Sequence, residues 1–356
     1  MFFNIDSDDG RAIRGWIVLD DPTAAPKLML VAPDRPELPI AADLHRADIQ
    51  DMGLHPTGHV GFEIDESVVA DLADRDELWL VEAQSRLLIF RRSRPCHVKA
   101  KLFIFDASAM PQNNLLRELS GHFTNVYFHC ERLSPDTMLS IIKSRFFQST
   151  LLYGRSRFSQ YSPYLSDAGF TSAALLQDPF LELAERLLTL KLCASGRLAQ
   201  TASMSGLERV LGFVQELKLN DEKAMLQAFR RLDPDQRELF ANPMTRLFGC
   251  EAGETPQRRH VSIALEALAG VDVVGARSQF PLFARMVAAA VGADVFGAQT
   301  PVALEMVAEL AHKLSRVGVV EDLLDGDRQL YEFVESATRG ATDGDLIEIR
   351  RDTQSI

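Results

Sequence analysis

Thr171-Ser172-Ala173-Ala174-Leu175-Leu176-Gln177-Asp178-Pro179, continuing through Phe180 to Cys193, is the stretch on which the fold turns. An apolar run ends in a polar pair, and an Asp-Pro step then opens a long segment with helical spacing. A run without polar alternation suits a strand buried on both faces, as in a parallel sheet. Asp178 suits an N-cap, and Pro179 suits the first helical position, where a missing N–H costs nothing. The same strand-then-helix order is readable on both sides. Upstream lie strand Lys101 to Phe105, helix Leu115 to Ser120, strand Asn125 to His129, helix Pro135 to Phe147 and strand Thr150 to Tyr153. Downstream come helical segments over 179–245, with Asp221 to Arg231 amphipathic, then strand Val271 to Val274, helix Leu282 to Val291 closed by Gly292, and a helical end over Gln299 to Ser336. Ser134-Pro135, Asp233-Pro234 and Thr300-Pro301 repeat the cap-then-proline signal. Such alternation predicts an α/β domain: a mainly parallel sheet of four or five strands flanked by helices, with a helical excursion about 180–250.

Length makes a second domain the expectation. At 356 residues the chain exceeds the ~250 to 300 at which single cores stop growing. Boundaries of 1–95 and 96–356 follow, with the basic stretch Arg91-Arg92-Ser93-Arg94-Pro95 as a linker. Hydrophobic residues at 46% and charged residues at 25% are ordinary for a globular chain. The formal net charge of −12 argues against nucleic acid as a partner. Met1 to Gly10 carries Asp6, Asp8 and Asp9, which does not read as a signal peptide, and the most apolar stretch, Met286 to Leu310, is interrupted by Asp294, Pro301 and Glu305. No transmembrane segment is expected. Cys96, Cys130, Cys193 and Cys250 lack metal or redox spacing and read as reduced thiols, which points to a cytoplasmic protein. Asp343 to Ile356 reads as disordered.

The first ninety or so residues read as short strands: Arg11 to Leu19, Lys27 to Val31, Pro39 to Asp43, Val60 to Ile64, Glu77 to Glu82 and Arg86 to Phe90, with a tight turn at Gln84-Ser85. A small antiparallel sandwich with Trp16 and Phe62 in its core is the expectation. His45, His55 and His59 are close in sequence, but Pro56 keeps His55 and His59 from sharing one helical face, so no metal is expected there. Gly15-Trp16, Asp20-Asp21-Pro22, Ala42-Asp43, Arg46-Ala47-Asp48-Ile49, Gly53 and His59-Val60-Gly61-Phe62 resemble the small β-modules attached to glycosyltransferase and sulfotransferase domains of bacterial envelope-polysaccharide proteins. That resemblance implies an accessory role beside glycan chemistry.

Over residues 100–340 the order of segments resembles the P-loop sulfotransferases of the bacterial and carbohydrate type. The matching residues are Tyr153-Gly154, Leu175-Leu176-Gln177-Asp178-Pro179, Asn242-Pro243-Met244-Thr245-Arg246 and Val273-Val274-Gly275-Ala276-Arg277-Ser278-Gln279-Phe280. The resemblance implies 3′-phosphoadenosine 5′-phosphosulfate as donor if the protein is active, and a glycan acceptor. The family's phosphate-binding residues are largely replaced. The loop Asp106 to Asn114 has no Lys or Gly, Gln177 stands at the strand-end Arg position, Arg155 at the His position and Glu185 near the helix Ser position.

Thr137 to Ser166 contains no acidic residue among the 50 in the chain, while Lys143, Arg145, Arg155 and Arg157 are basic and Tyr153, Tyr161 and Tyr164 are aromatic. Ligands of open parallel sheets sit beyond the carboxyl ends of the strands. The loops holding Ser108, Arg155, Gln177 and Ser278 should therefore converge on an anionic or sugar ligand. Arg155 is the expected reacting-group contact; Ser108, Asn113, Asn114, Arg157, Gln177 and Ser278 are the expected cofactor-binding residues, with no metal. Three functions compete: a sulfotransferase of envelope or capsular glycan, a non-catalytic glycan-binding or regulatory relative, and a transferase using a nucleotide sugar. Asp178 as a cap, His122 and His129 as half-buried histidines, and the basic tract as an outer helix face are the plain structural alternatives.

Overall fold

A computed structural model describes residues 1–110, 112–197 and 208–340. The expected disordered tail lies outside them. The chain is α/β. Its strands are β1 (Phe2–Asp8), β2 (Ala12–Val18), β3 (Lys27–Ala32), β4 (Arg35–Ala41), β5 (Leu44–His45), β6 (His59–Asp65), β7 (Trp79–Glu82), β8 (Leu88–Arg91), β9 (Lys101–Asp106), β10 (Asn125–Phe128), β11 (Thr150–Gly154), β12 (Phe170–Leu176) and β13 (Val273–Ala276). Its α-helices are α1 (Ala47–Asp51), α2 (Asn113–His122), α3 (Pro135–Lys143), α4 (Phe158–Leu165), α5 (Pro179–Ala194), α6 (Glu208–Glu216), α7 (Glu222–Arg230), α8 (Pro234–Phe240), α9 (Pro243–Gly249), α10 (Arg258–Ala269), α11 (Phe280–Val291), α12 (Glu305–Leu314), α13 (Gly318–Leu323) and α14 (Asp325–Gly340). No helix among the described residues is long and apolar enough to cross a membrane.

A five-stranded parallel sheet has the order β10-β11-β9-β12-β13. Two four-stranded sheets, β1-β2-β6-β5 and β4-β3-β7-β8, are antiparallel. By contacts the chain forms two compact units: Met1–Phe103 with Leu119–Tyr153 and Pro163–Phe170, and Ile104–Glu118 with Gly154–Ser162 and Thr171 onward. The expected boundary at residues 95 and 96 falls inside the first unit.

In the first unit β1 is an addition to the sequence reading. Its Phe2, Phe3 and Ile5 pair with Val18, Ile17 and Gly15 of β2 despite the acidic end of the strand. Phe62 is buried, but Trp16 is only half-buried, contrary to expectation. Successive strand residues face opposite sides. Gly15 turns to the side filled by the Phe62 ring, where a Cβ would collide with it. Trp16 therefore faces the other side, where it joins a small cluster of Val18, Ile49 of the short α1, Val60, Phe2 and Leu54. At the β7–β8 turn the buried Glu82 carboxylate accepts from the Gln84 and Ser85 amides, and Arg86 takes a left-handed φ of 59°. Tyr127 of β10 donates to the Leu88 carbonyl at 3.0 Å, and Phe90 meets Phe146.

In the second unit helices α5 to α9 lie between β12 and β13 in the chain. Leu183, Leu187 and Leu190 of α5 pack with Val210, Val214, Phe229 and Phe240 and with Leu310 and Leu314 of α12. Ser134, Asp178 and Asp233 each cap as read, accepting from amides two or three residues on. Thr300-Pro301 does not start a helix; residues 301–304 are irregular and α12 begins at Glu305. Helices α9 and α10 approach so closely that a Cβ on Gly249 would run into the His260 carbonyl. Asp327, fully buried, accepts from the Met244 and Thr245 amides at 2.8 and 2.6 Å, and Asn242, held at a left-handed φ of 43°, accepts the Asp327 amide at 3.0 Å. Burial pushes the Asp327 carboxyl up to about 6.

Candidate functional site

Four strand ends of the parallel sheet supply the loops expected to meet, and within the second unit they do. Arg155, just past β11, donates through Nη1 to the carbonyls of Ala107 and Ser108 and to Glu182 Oε1, each at 3.0 Å. Arg277, just past β13, donates through Nη1 to Ser108 Oγ at 3.2 Å and to Glu185 Oε1 at 2.8 Å. Gln177, at the end of β12, donates to Glu185 Oε1 at 3.3 Å and accepts the Asp178 amide at 3.2 Å. Arg186 joins from inside α5, pairing with Glu182 and donating to the Leu239 carbonyl at 2.7 Å.

Two carboxylates from α5 hold the centre of this cluster. Glu185 Oε2 accepts the Met110 amide, in the loop after β9, at 3.3 Å. One carboxylate thus takes a loop amide, a guanidinium N–H and a carboxamide N–H, the kind of donor set that binds an external oxyanion. Burial raises the Glu185 carboxyl, and Arg277 opposes that rise. Asp106, Glu182 and Glu185 lie with Arg155, Arg186 and Arg277, and the buried Asp327 also acts on Glu182 and Arg186, so the cluster carries no excess of positive charge. Glu182 Oε2 has no hydrogen-bond partner among the described residues.

Of the residues expected at the site, Ser108, Arg155 and Gln177 are brought together. Arg157 is not part of that cluster; it is half-buried and its charge acts on Arg246 and Cys250. Ser278 turns to α14, with its Oγ 3.0 Å from Tyr331 Oη and 3.4 Å from Glu335. Asn113 begins α2 with an exposed side chain. Asn114 instead donates to the Thr300 carbonyl at 2.6 Å. Asp178 is a cap, and burial raises its carboxyl. Lys143, from the basic tract, lies 4.5 Å from the centre of the Tyr164 ring, whereas Tyr153 and Tyr161 are buried.

Sequence reasoning missed the roles of Glu182, Arg186 and Arg277. The signal was available in part, because Glu182, Glu185 and Arg186 sit at helical spacing among Leu183, Leu187 and Leu190 on what is otherwise an apolar face. Buried charges on such a face require partners.

Two other groupings are less suited to ligand chemistry. Cys250, Glu254 and His260 bring potential metal-ligand atoms within 4.8 Å of one another. His260 Nδ1, however, accepts the Gln257 amide at 2.9 Å, which leaves the proton on Nε2, facing Glu254 at 3.6 Å. A metal on Nε2 would have to displace that proton and break the amide contact. A groove of about 730 Å³ is lined by Leu188, Lys191, Leu217, Met306 and Lys313, among others. Its Lys191 ammonium is engaged by the Val214 and Leu217 carbonyls at the end of α6.

No family model, no curated protein and no solved structure matches this chain.

Proposed function

We propose that this protein is a non-catalytic glycan-binding or regulatory member of the machinery that builds envelope or capsular polysaccharide, related in frame to the carbohydrate sulfotransferases. The observation that carries the proposal is the Glu185 carboxylate, which takes up the Met110 amide, Arg277 and Gln177 at the end of the sheet. A phosphosulfate donor needs such groups unengaged, since its phosphates would compete with a buried carboxylate already in place. The donor does not fit these residues. Each charge-assisted hydrogen bond it forgoes is worth roughly 1.5 to 3 kcal/mol. A cluster with no excess positive charge suits a hydroxyl-rich ligand with at most isolated charges, which carboxamides and a guanidinium edge can hydrogen-bond.

Titration calorimetry tests this directly. The phosphosulfate donor and its 3′,5′-bisphosphate product should give no binding tighter than ~1 mM, a free energy of about 4 kcal/mol. Micromolar affinity for either would overturn the non-catalytic reading and return the protein to the sulfuryl-transfer class.

A further inference from the structure

Residues 299–304 form a strap whose backbone is fastened to the site by hydrogen bonds on its inner side. The Thr300 carbonyl accepts from Asn114 Nδ2 at 2.6 Å, the Val302 amide donates to Gln112 Oε1 at 2.8 Å, and the Val302 carbonyl accepts from Arg277 Nη2 at 2.8 Å. Three side chains thus read one edge of the strap's backbone at alternate residues, as they would read a bound chain. The outward side chains do little to hold it. Val302 and Leu304 are 43% and 41% exposed, so their apolar surface stays in water. The buried anchors lie beyond both ends, at Phe296 and Val307, and Gly297 turns at a positive φ of 54° just after the first.

One further atom marks the strap as an imperfect occupant. Asn114 Oδ1 is buried with no hydrogen-bond partner among the described residues. A buried acceptor left unpaired costs on the order of 1–3 kcal/mol. A ligand that offered a donor there would recover what the strap leaves unmet.

We infer that the strap of residues 299–304 is an intrachain gate that occupies the glycan-recognition groups Asn114, Gln112 and Arg277, and that it leaves when a hydroxyl-rich oligosaccharide binds. Opening releases Asn114 Nδ2 and Arg277 Nη2 as donors and Gln112 Oε1 as an acceptor, beside the already unpaired Asn114 Oδ1. Planar carboxamides and a guanidinium edge match neighbouring hydroxyls of a sugar ring, each of which both gives and takes a hydrogen bond. A segment with little buried apolar area and few contacts opens at small cost. The inference rests on the glycan-binding reading proposed above.

Val302→Pro tests the gate without touching the groups that would meet the sugar, because it deletes the amide given to Gln112 and nothing on the site side. Calorimetry with maltohexaose and cellohexaose should show the variant binding at least one of them about tenfold or more tighter than the wild-type chain, since the fraction of open protein rises. Adding Arg277→Ala should abolish that gain. Equal binding by wild type and Val302→Pro overturns the gate and leaves the glycan reading standing. Binding by neither overturns the glycan reading and, with it, the gate's stated cargo. Hydrogen exchange decides the strap itself with no ligand present. The Val302 amide should exchange at least tenfold faster in Gln112→Ala than in wild type, with the amides of α12 unchanged. Exchange of Val302 at the unprotected rate in the wild-type chain would rule the strap out.

Discussion

Glu185 is where charge, burial and geometry meet. Removing one partner of a buried ion pair strands the other, at a cost of about 3–5 kcal/mol. Arg277, whose side chain is 7% exposed, is the partner left behind by Glu185→Ala. Urea unfolding should therefore show a destabilisation of about 3–5 kcal/mol for Glu185→Ala, whereas Glu185→Leu combined with Arg277→Met should recover most of it. A loss in the double variant equal to the sum of the losses from Glu185→Leu and Arg277→Met alone would mean that the pair is not coupled. The pairing was not readable locally, because Glu185 and Arg277 are 92 positions apart and a helical wheel shows only that a charge lies on an apolar face. Asp178, by contrast, was legible as a cap from two adjacent residues, since capping is a local hydrogen bond.

At the scale of elements, that distinction separates the readings that hold from those that do not. Strands β9 to β13 and helices α5 and α11 follow from uninterrupted apolar runs and from Pro and Gly at their ends. Strand β1 was not among the strands read from the sequence, because acidic Asp6 and Asp8 interrupt its pattern, yet its apolar half pairs with β2, and the register shifts between Ile5 and Ser7. Thr300-Pro301 carries the helix-start signal, but Asn114, Gln112 and Arg277 hold the following residues in the strap, so tertiary contacts override it. Packing of α9 on α10 gives a sharper test. Gly249→Ala should lower stability by about 1–3 kcal/mol through the clash with His260, despite the better helix propensity of alanine. A neutral or stabilising effect in thermal unfolding would show that the two helices can separate freely.

On the scale of the whole molecule, the two units should respond to acid in opposite senses. In the first, burial and the neighbouring charges of Arg91 and Arg94 push His97 down to about 4. Its Nδ1 accepts the Arg94 amide at 3.1 Å, so the folded form holds the neutral ring. The unfolded ring titrates near 6.5 and takes up its proton first as pH falls, so this unit loses about 2 kcal/mol between pH 7 and pH 5. In the second, Asp327 titrates at about 6 when folded and near 3.8 when unfolded. The folded state takes up that proton first, so its contribution rises by about 1 kcal/mol over the same interval and is lost again as pH climbs through 6. Hydrogen exchange at the two pH values should show β10 less protected and α9 more protected at pH 5, after correction for intrinsic rates. His97→Gln should remove the first effect and Asp327→Asn the second; an unchanged pH response in both variants would place the titration elsewhere.

The first unit is assembled from three separated stretches, the last ending at Phe170. During synthesis the antiparallel strands leave the ribosome before β10 and α3, against which β8 and β1 pack. At ~5–20 residues per second, roughly 3 to 11 seconds pass between the making of Phe90 and that of Phe146. Through that interval the Leu88 carbonyl lacks the Tyr127 hydroxyl and Phe90 lacks Phe146, so the nascent chain displays a sticky, unfinished face of the kind that chaperones cover.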